Sequence, residues 1–117
     1  MVEGRKKDLI NRGGEKISAE EIENLILTHP SVQNVACVPM PDPILGERMC
    51  SYIILRRASS LTLQELVAFL LGQEIAKQKL PERLEIVDEF PLSPFGKVSK
   101  KDLTDRITQL LKSEGKL

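Results

Sequence analysis

The sequence predicts an α+β domain: a small three-stranded sheet packed by helices, with an N-terminal β-hairpin. Three observations carry that expectation. Runs of β-branched residues are interspersed with segments whose apolar residues recur at helical spacing, and no internal repeat is visible. The helical segments open on a Ser or Thr with an acidic residue three positions on, as in Ser18/Glu21, Thr62/Glu65 and Ser99/Asp102. The length, 117 residues, suits one core that buries roughly two-thirds of the unfolded surface.

Taken in order, Gly4 to Ile17 reads as a charged lead-in and a hairpin. Leu9, Ile10 and Ile17 flank Asn11-Arg12-Gly13-Gly14, whose paired glycines permit the positive φ angles of a tight reversal. Those glycines serve either that turn alone or the close approach of a ligand to bare backbone. Ser18 caps a first helix, with Glu21 reaching back and Ile22, Leu25, Ile26 and His29 at helical spacing until Pro30. His29 then falls in the last turn, where a positive charge suits the helix dipole. Val32 to Val38 is a strand broken by Pro39-Met-Pro-Asp-Pro43. Met49 to Leu55 is a second strand, apolar on both faces and so central, pairing antiparallel with the first. Thr62 opens a second helix with Leu63, Leu66, Val67 and Leu70 on one face and Gly72 at its end. A helical turn over 74–79 precedes a third strand, Arg83 to Val87, with Leu84 and Ile86 inward. The final helix starts after Ser99, buries Leu103, Ile107, Leu110 and Leu111, and frays from Ser113.

Composition excludes several function classes. Seventeen basic residues balance seventeen acidic ones, so no global field favours nucleic acid or an anionic membrane. Aromatics are 3%, too few for base stacking. No stretch approaches the ~20 apolar residues of a membrane span, and the first residues lack the apolar core of a signal peptide. Cys37 and Cys50 sit in apolar runs and read as reduced core thiols of a cytoplasmic protein. One histidine and two scattered cysteines do not supply a metal site.

Two loops carry the chemistry that is legible. Pro91-Leu-Ser-Pro-Phe-Gly-Lys97-Val-Ser-Lys is punctuated by Pro91, Pro94 and Gly96 and presents Lys97 just before a helix. Stiff flanks reduce the freedom such a side chain loses on binding, so Lys97 is either an ordinary solvated lysine or a cation aimed at an anion. At the other end, Arg5, Lys6, Lys7, Arg12 and Lys16 place five positive charges within twelve residues, opposed by Asp8 and Glu15. That cluster is a solvated face or a phosphate-facing one. No nucleophile–base pair, carboxylate dyad or Walker-type loop accompanies them.

The run Gly4-Arg5-Lys6-Lys7-Asp8-Leu-Ile-Asn-Arg-Gly13-Gly14-Glu-Lys16-Ile-Ser-Ala-Glu-Glu-Ile-Glu23 resembles the signature that opens the C-terminal domain of adenylate-forming enzymes. That superfamily comprises acyl-CoA synthetases, nonribosomal-peptide-synthetase adenylation domains and luciferases. Pro91 to Leu103 resembles the closing motif of the same domain, and Glu47-Arg48 and Leu80-Pro81 agree with it. The wording Ile-Asn-Arg-Gly-Gly-Glu-Lys is most similar to aryl-acid ligases of siderophore pathways, which activate 2,3-dihydroxybenzoate or salicylate.

The resemblance implies residues 1–6 as the end of an inter-domain linker and 7–117 as a mobile lid. It implies that Lys97 reaches the carboxylate and ribose–phosphate oxygens during adenylation, that Arg5 contacts the ribose, and that Lys7 is the hinge. It places Gly14, with Gly13, along the tunnel for a phosphopantetheine arm; Asp8 and Lys16 are neighbours in that loop. ATP and Mg²⁺ are expected to be held mainly by an N-terminal adenylation domain. The other partners are a small aromatic carboxylic acid and an aryl or peptidyl carrier protein whose phosphopantetheine thiol accepts the acyl group. The chain alone is not expected to adenylate anything. A reading from a different class is a non-catalytic module that docks a carrier protein or partner subunit.

Overall fold

A computed structural model of the protein describes residues 8–117. Its elements are β1 (Leu9–Arg12), β2 (Glu15–Ser18), α1 (Ala19–Ile26), β3 (Val32–Asp42), β4 (Gly46–Leu55), α2 (Leu63–Leu71), a 3-10 turn (Lys77–Lys79), β5 (Arg83–Ile86) and α3 (Lys100–Ser113). The α+β class is as expected, but the sheet has five strands rather than three. β4 is its centre. β3 pairs antiparallel along nearly all of β4, while β5 runs parallel to it from Cys50 to Ile53 on the other side. The β1–β2 hairpin joins that same side, where Arg12 lies opposite Gly46. Ile10 and Ile17 explain why the hairpin belongs to the sheet: both are fully buried in the main core and draw it in.

β3 also departs from expectation, running through Pro39 and Pro41 to Asp42 opposite Gly46. It is the outermost strand beside β4, where alternate N–H groups have no ladder partner, so a proline costs no sheet hydrogen bond there. The connection to β4 is therefore short. β4 is buried on both faces, as its continuous apolar run predicts. Met49 and Ile53 meet α1 and α2 through Ile22, Ile26, Leu66 and Leu70. Cys50 and Tyr52 meet α3 through Leu103, Ile107 and Leu111. Each such burial contributes roughly 1.5–3 kcal/mol, against ~0–1 for an exposed ion pair, so these two cores fix the helices on the sheet.

Local signals mostly act as read. Ser18, Thr62 and Ser99 accept the backbone N–H of Glu21, Glu65 and Asp102, and Thr62/Glu65 form a reciprocal capping box. Glu21 does not reach back; its carboxylate lies 3.4 Å from Lys79 instead. α1 ends at Ile26, earlier than expected, so His29 is not a last-turn residue. Its Nδ1 accepts the N–H of Ser31 at 3.0 Å and its ring packs edge-on against Phe69, which makes it a turn and packing residue. On the edge strand β5, Leu84 packs inward while Ile86 remains 45% exposed. Both cysteines are free and buried, and burial pushes the Cys37 thiol up to about 12.

The carboxy-terminal end of α3 is clamped rather than frayed at its first outer residues. Arg83 on β5 donates from Nη1 and Nη2 to the two carboxylate oxygens of Glu114, at 2.8 and 2.6 Å. The bidentate guanidinium holds the Glu114 carboxyl down to about 2. A folded-state value below the unfolded one stabilises at pH above the ordinary glutamate range and loses that contribution as pH falls through about 2. Carboxyl-carbon NMR titration is expected to show Glu114 as the last glutamate to protonate; a midpoint near 4 would mean the clamp does not persist in solution.

Candidate functional site

The lysine loop is a closed miniature hairpin. Leu92 bridges Val98 in antiparallel fashion, the Ser93 N–H donates to the Lys97 carbonyl at 2.7 Å, and the Ser99 N–H donates to the Pro91 carbonyl at 2.8 Å. Inside it the Gly96 N–H donates to the Ser93 carbonyl, with Gly96 at φ +79°, a conformation that glycine adopts without strain. The backbone of Lys97 is thus fixed from both sides, and α3 begins three residues later on the Ser99 cap. The Lys97 side chain is exposed and has no ion-pair or hydrogen-bond partner among the described residues. Phe95 beside it is 88% exposed. This is a cation on a fixed backbone facing outward, and it is neither buried nor neutralised by a neighbour among the described residues.

The glycine loop is built differently. Gly13 and Gly14 both have positive φ, at +61° and +94°, as the two-residue β1–β2 turn requires. The Gly13 N–H donates to the Leu45 carbonyl at 2.8 Å, and a Cβ there would stand 3.1 Å from Leu45 Cδ2. Gly13 therefore has a reason internal to the fold. The Gly14 N–H is held by Asn11 Oδ1 at 3.0 Å, yet a Cβ on Gly14 would meet nothing within 4 Å. Its bare face looks into open space.

Behind this loop lies an ion network that the sequence does not announce. Glu82 takes Arg12 Nε at 2.8 Å and Arg48 Nη1 at 3.3 Å, while Arg48 Nε lies 2.9 Å from Asp42. Asp42 in turn accepts the N–H groups of Leu45 and Ile44, which with Arg48 hold its carboxyl below the usual range. Arg12, one of the five clustered cations, is thereby committed to the fold. Lys16 is exposed on β2.

Asp8 is paired too. Its carboxylate lies 2.6 Å from Lys100 Nζ, which also lies 2.6 Å from Glu23. Burial pulls the lysine's proton affinity down, but the two carboxylates outweigh it and hold Lys100 above the ordinary value. Arg5 and Lys7 lie outside the described residues. The structure thus separates the expected site residues into an outward cation at Lys97, an outward bare backbone at Gly14, and an anchored Asp8. Among the described residues no group of three His, Cys, Asp or Glu side chains could hold a metal ion, and no helix is long and apolar enough to cross a membrane.

Fold and site together define a domain with an exposed cation on a closed hairpin and a bare glycine turn. The chain belongs to the AMP-binding enzyme C-terminal domain family, whose model matches residues 21–97. It is 53% identical over 105 residues to a salicylyl-CoA synthase / salicylate adenylyltransferase of a Streptomyces species, covering 90% of this chain and 19% of that protein. It is 51% identical over 111 residues to the 2,3-dihydroxybenzoate-AMP ligase of Bacillus subtilis, covering 95% of this chain and 20% of the ligase. ATP-bound MatB from Rhodopseudomonas palustris superposes with a TM-score of 0.84 at 29% identity, covering 92% of this chain and 21% of that one. The chain spans about a fifth of the length of these proteins.

Proposed function

We propose that this chain is the mobile C-terminal lid of an aryl-acid–AMP ligase of siderophore biosynthesis, acting with an N-terminal adenylation domain. Lys97, exposed on its closed hairpin and without a partner among the described residues, carries the reading, and the names of the relatives supply the substrate class. In the first half-reaction a carboxylate oxygen of the aromatic acid attacks the α-phosphorus of ATP. The bond to the β-phosphate oxygen breaks and pyrophosphate leaves. Two anions must approach, and the Lys97 ammonium delivered between them lowers that barrier. In the second, a phosphopantetheine thiol on a carrier protein attacks the acyl carbon and AMP departs with the bonding electrons.

Arg5 meets the ribose of the adenylate, and rotation at Lys7 exchanges the Lys97 tip for the Gly13–Gly14 turn. Lys16 borders that turn. ATP and its Mg²⁺ are assigned mainly to the N-terminal domain.

The test is ATP–pyrophosphate exchange by the intact two-domain enzyme across a panel of acids. Salicylate and 2,3-dihydroxybenzoate are expected to drive exchange at least 10-fold faster than medium-chain fatty acids. A preference for the aliphatic acids would reject the aryl-acid assignment.

A further inference from the structure

Three separated parts of the domain meet on one ammonium. Lys100 is the first residue of α3, Glu23 lies on α1, and Asp8 directly precedes β1; both carboxylates stand 2.6 Å from Lys100 Nζ. Glu23 Oε2 also accepts the Cys37 N–H at 2.8 Å, tying the group to β3. The Asp8 carbonyl accepts the Ala19 N–H at 3.2 Å. Asp8 is thereby held to the body of the domain by both its backbone and its side chain. A pivot at Lys7 would end abruptly at residue 8.

Lys100 also follows Lys97 by three residues, through the Val98 bridge and the Ser99 cap. The contact with Asp8, 92 positions away, therefore joins the residue next to the pivot with the segment that carries the delivered cation. We infer that Lys100 is a positioning residue for adenylation, locking Asp8 to α3 so that rotation at Lys7 moves Lys97 as a rigid arm. This inference rests on the two-pose reading above.

Loss of the lock acts unequally on the two half-reactions. Gly13 and Gly14 keep their covalent connection to Asp8 along β1, whereas Lys97 loses its side-chain connection to it. A displacement of ~1 Å at a reacting centre can cost about 100-fold, so partial loosening is expected to be visible in the rate.

The experiment compares Lys100→Met, Lys100→Arg, Asp8→Asn and Lys97→Ala in the intact enzyme. Pyrophosphate exchange and thioester formation from preformed aryl-adenylate are measured for each. Lys100→Met and Asp8→Asn are expected to lower kcat for exchange about 10-fold with KM for acid and ATP within 2-fold, and to leave thioester formation within 3-fold. Lys100→Arg restores exchange to within 3-fold of the parent. Equal loss in both half-reactions would make the triad merely structural and overturn the inference, as would an unchanged exchange rate in both triad variants. If Lys97→Ala itself retains exchange, the underlying reading fails, and that outcome is visible separately. Should Lys100→Met not fold, Asp8→Asn decides alone, because it weakens the same contact and leaves Lys100 paired with Glu23.

Discussion

Replacing Lys97 with alanine in the intact enzyme is expected to lower ATP–pyrophosphate exchange about 100- to 1,000-fold, the ~3–4 kcal/mol that one preorganised donor contributes to a charged transition state. Thioester formation from preformed adenylate should stay within about 3-fold, because the α-phosphate is by then a leaving group and no second anion has to be brought beside it. The fold itself should not suffer. Lys97 is exposed, and the hairpin is closed by the backbone of Ser93, Lys97 and Ser99 together with the Leu92–Val98 bridge, none of which needs the ammonium. Circular dichroism and thermal melting of the variant therefore serve as the control. Equal loss in both half-reactions would remove Lys97 from its assigned role.

The complementary result is expected from Gly14→Leu. Gly14 sits at φ +94°, so any side chain costs about 1–2 kcal/mol of backbone strain, but its Cβ would touch nothing among the described residues. If that open face lines the path of the phosphopantetheine arm, a leucine should lower thioester formation about 100-fold and leave exchange nearly intact. Gly14→Ala carries the same strain with little bulk, so it separates obstruction from distortion. Similar thioester rates in the parent, alanine and leucine enzymes would show that no arm passes there. Gly13 offers no such test, since its substituent would press on Leu45 at 3.1 Å.

The contrast between those two glycines shows what the sequence could and could not say. Adjacent glycines after Asn11-Arg12 announce a reversal, and a reversal is found; which of the two faces outward depends on Leu45, over thirty positions away. The helix caps at Ser18, Thr62 and Ser99 were legible because a cap is written within four residues. The central strand β4 was legible because burial on two faces leaves a continuous apolar run. The strand count was not, because the hairpin meets β4 at one facing pair, Arg12 and Gly46, and is drawn there by core contacts with distant segments that no periodicity encodes.

Charge was misread for a related reason. Arg12 looked like one of five free cations near the amino terminus, yet Glu82 claims it from 70 positions away. Nothing near Lys100, Asp8 or Glu23 in the sequence marks the three as partners. Pairing between distant segments leaves no local signature. The exposure of Lys97 on a tight loop is legible in its proline and glycine flanks, since stiff neighbours describe presentation without needing any partner.

Pro39 and Pro41 have a consequence beyond the length of β3. An outer strand with a full row of free donors is a template for intermolecular β-pairing, and a domain that swung as the proposed lid would present that row to other copies of itself. Two prolines two positions apart delete consecutive members of that row. The outer edge of β3 is thereby a poor template for a second copy, whatever pose the domain takes.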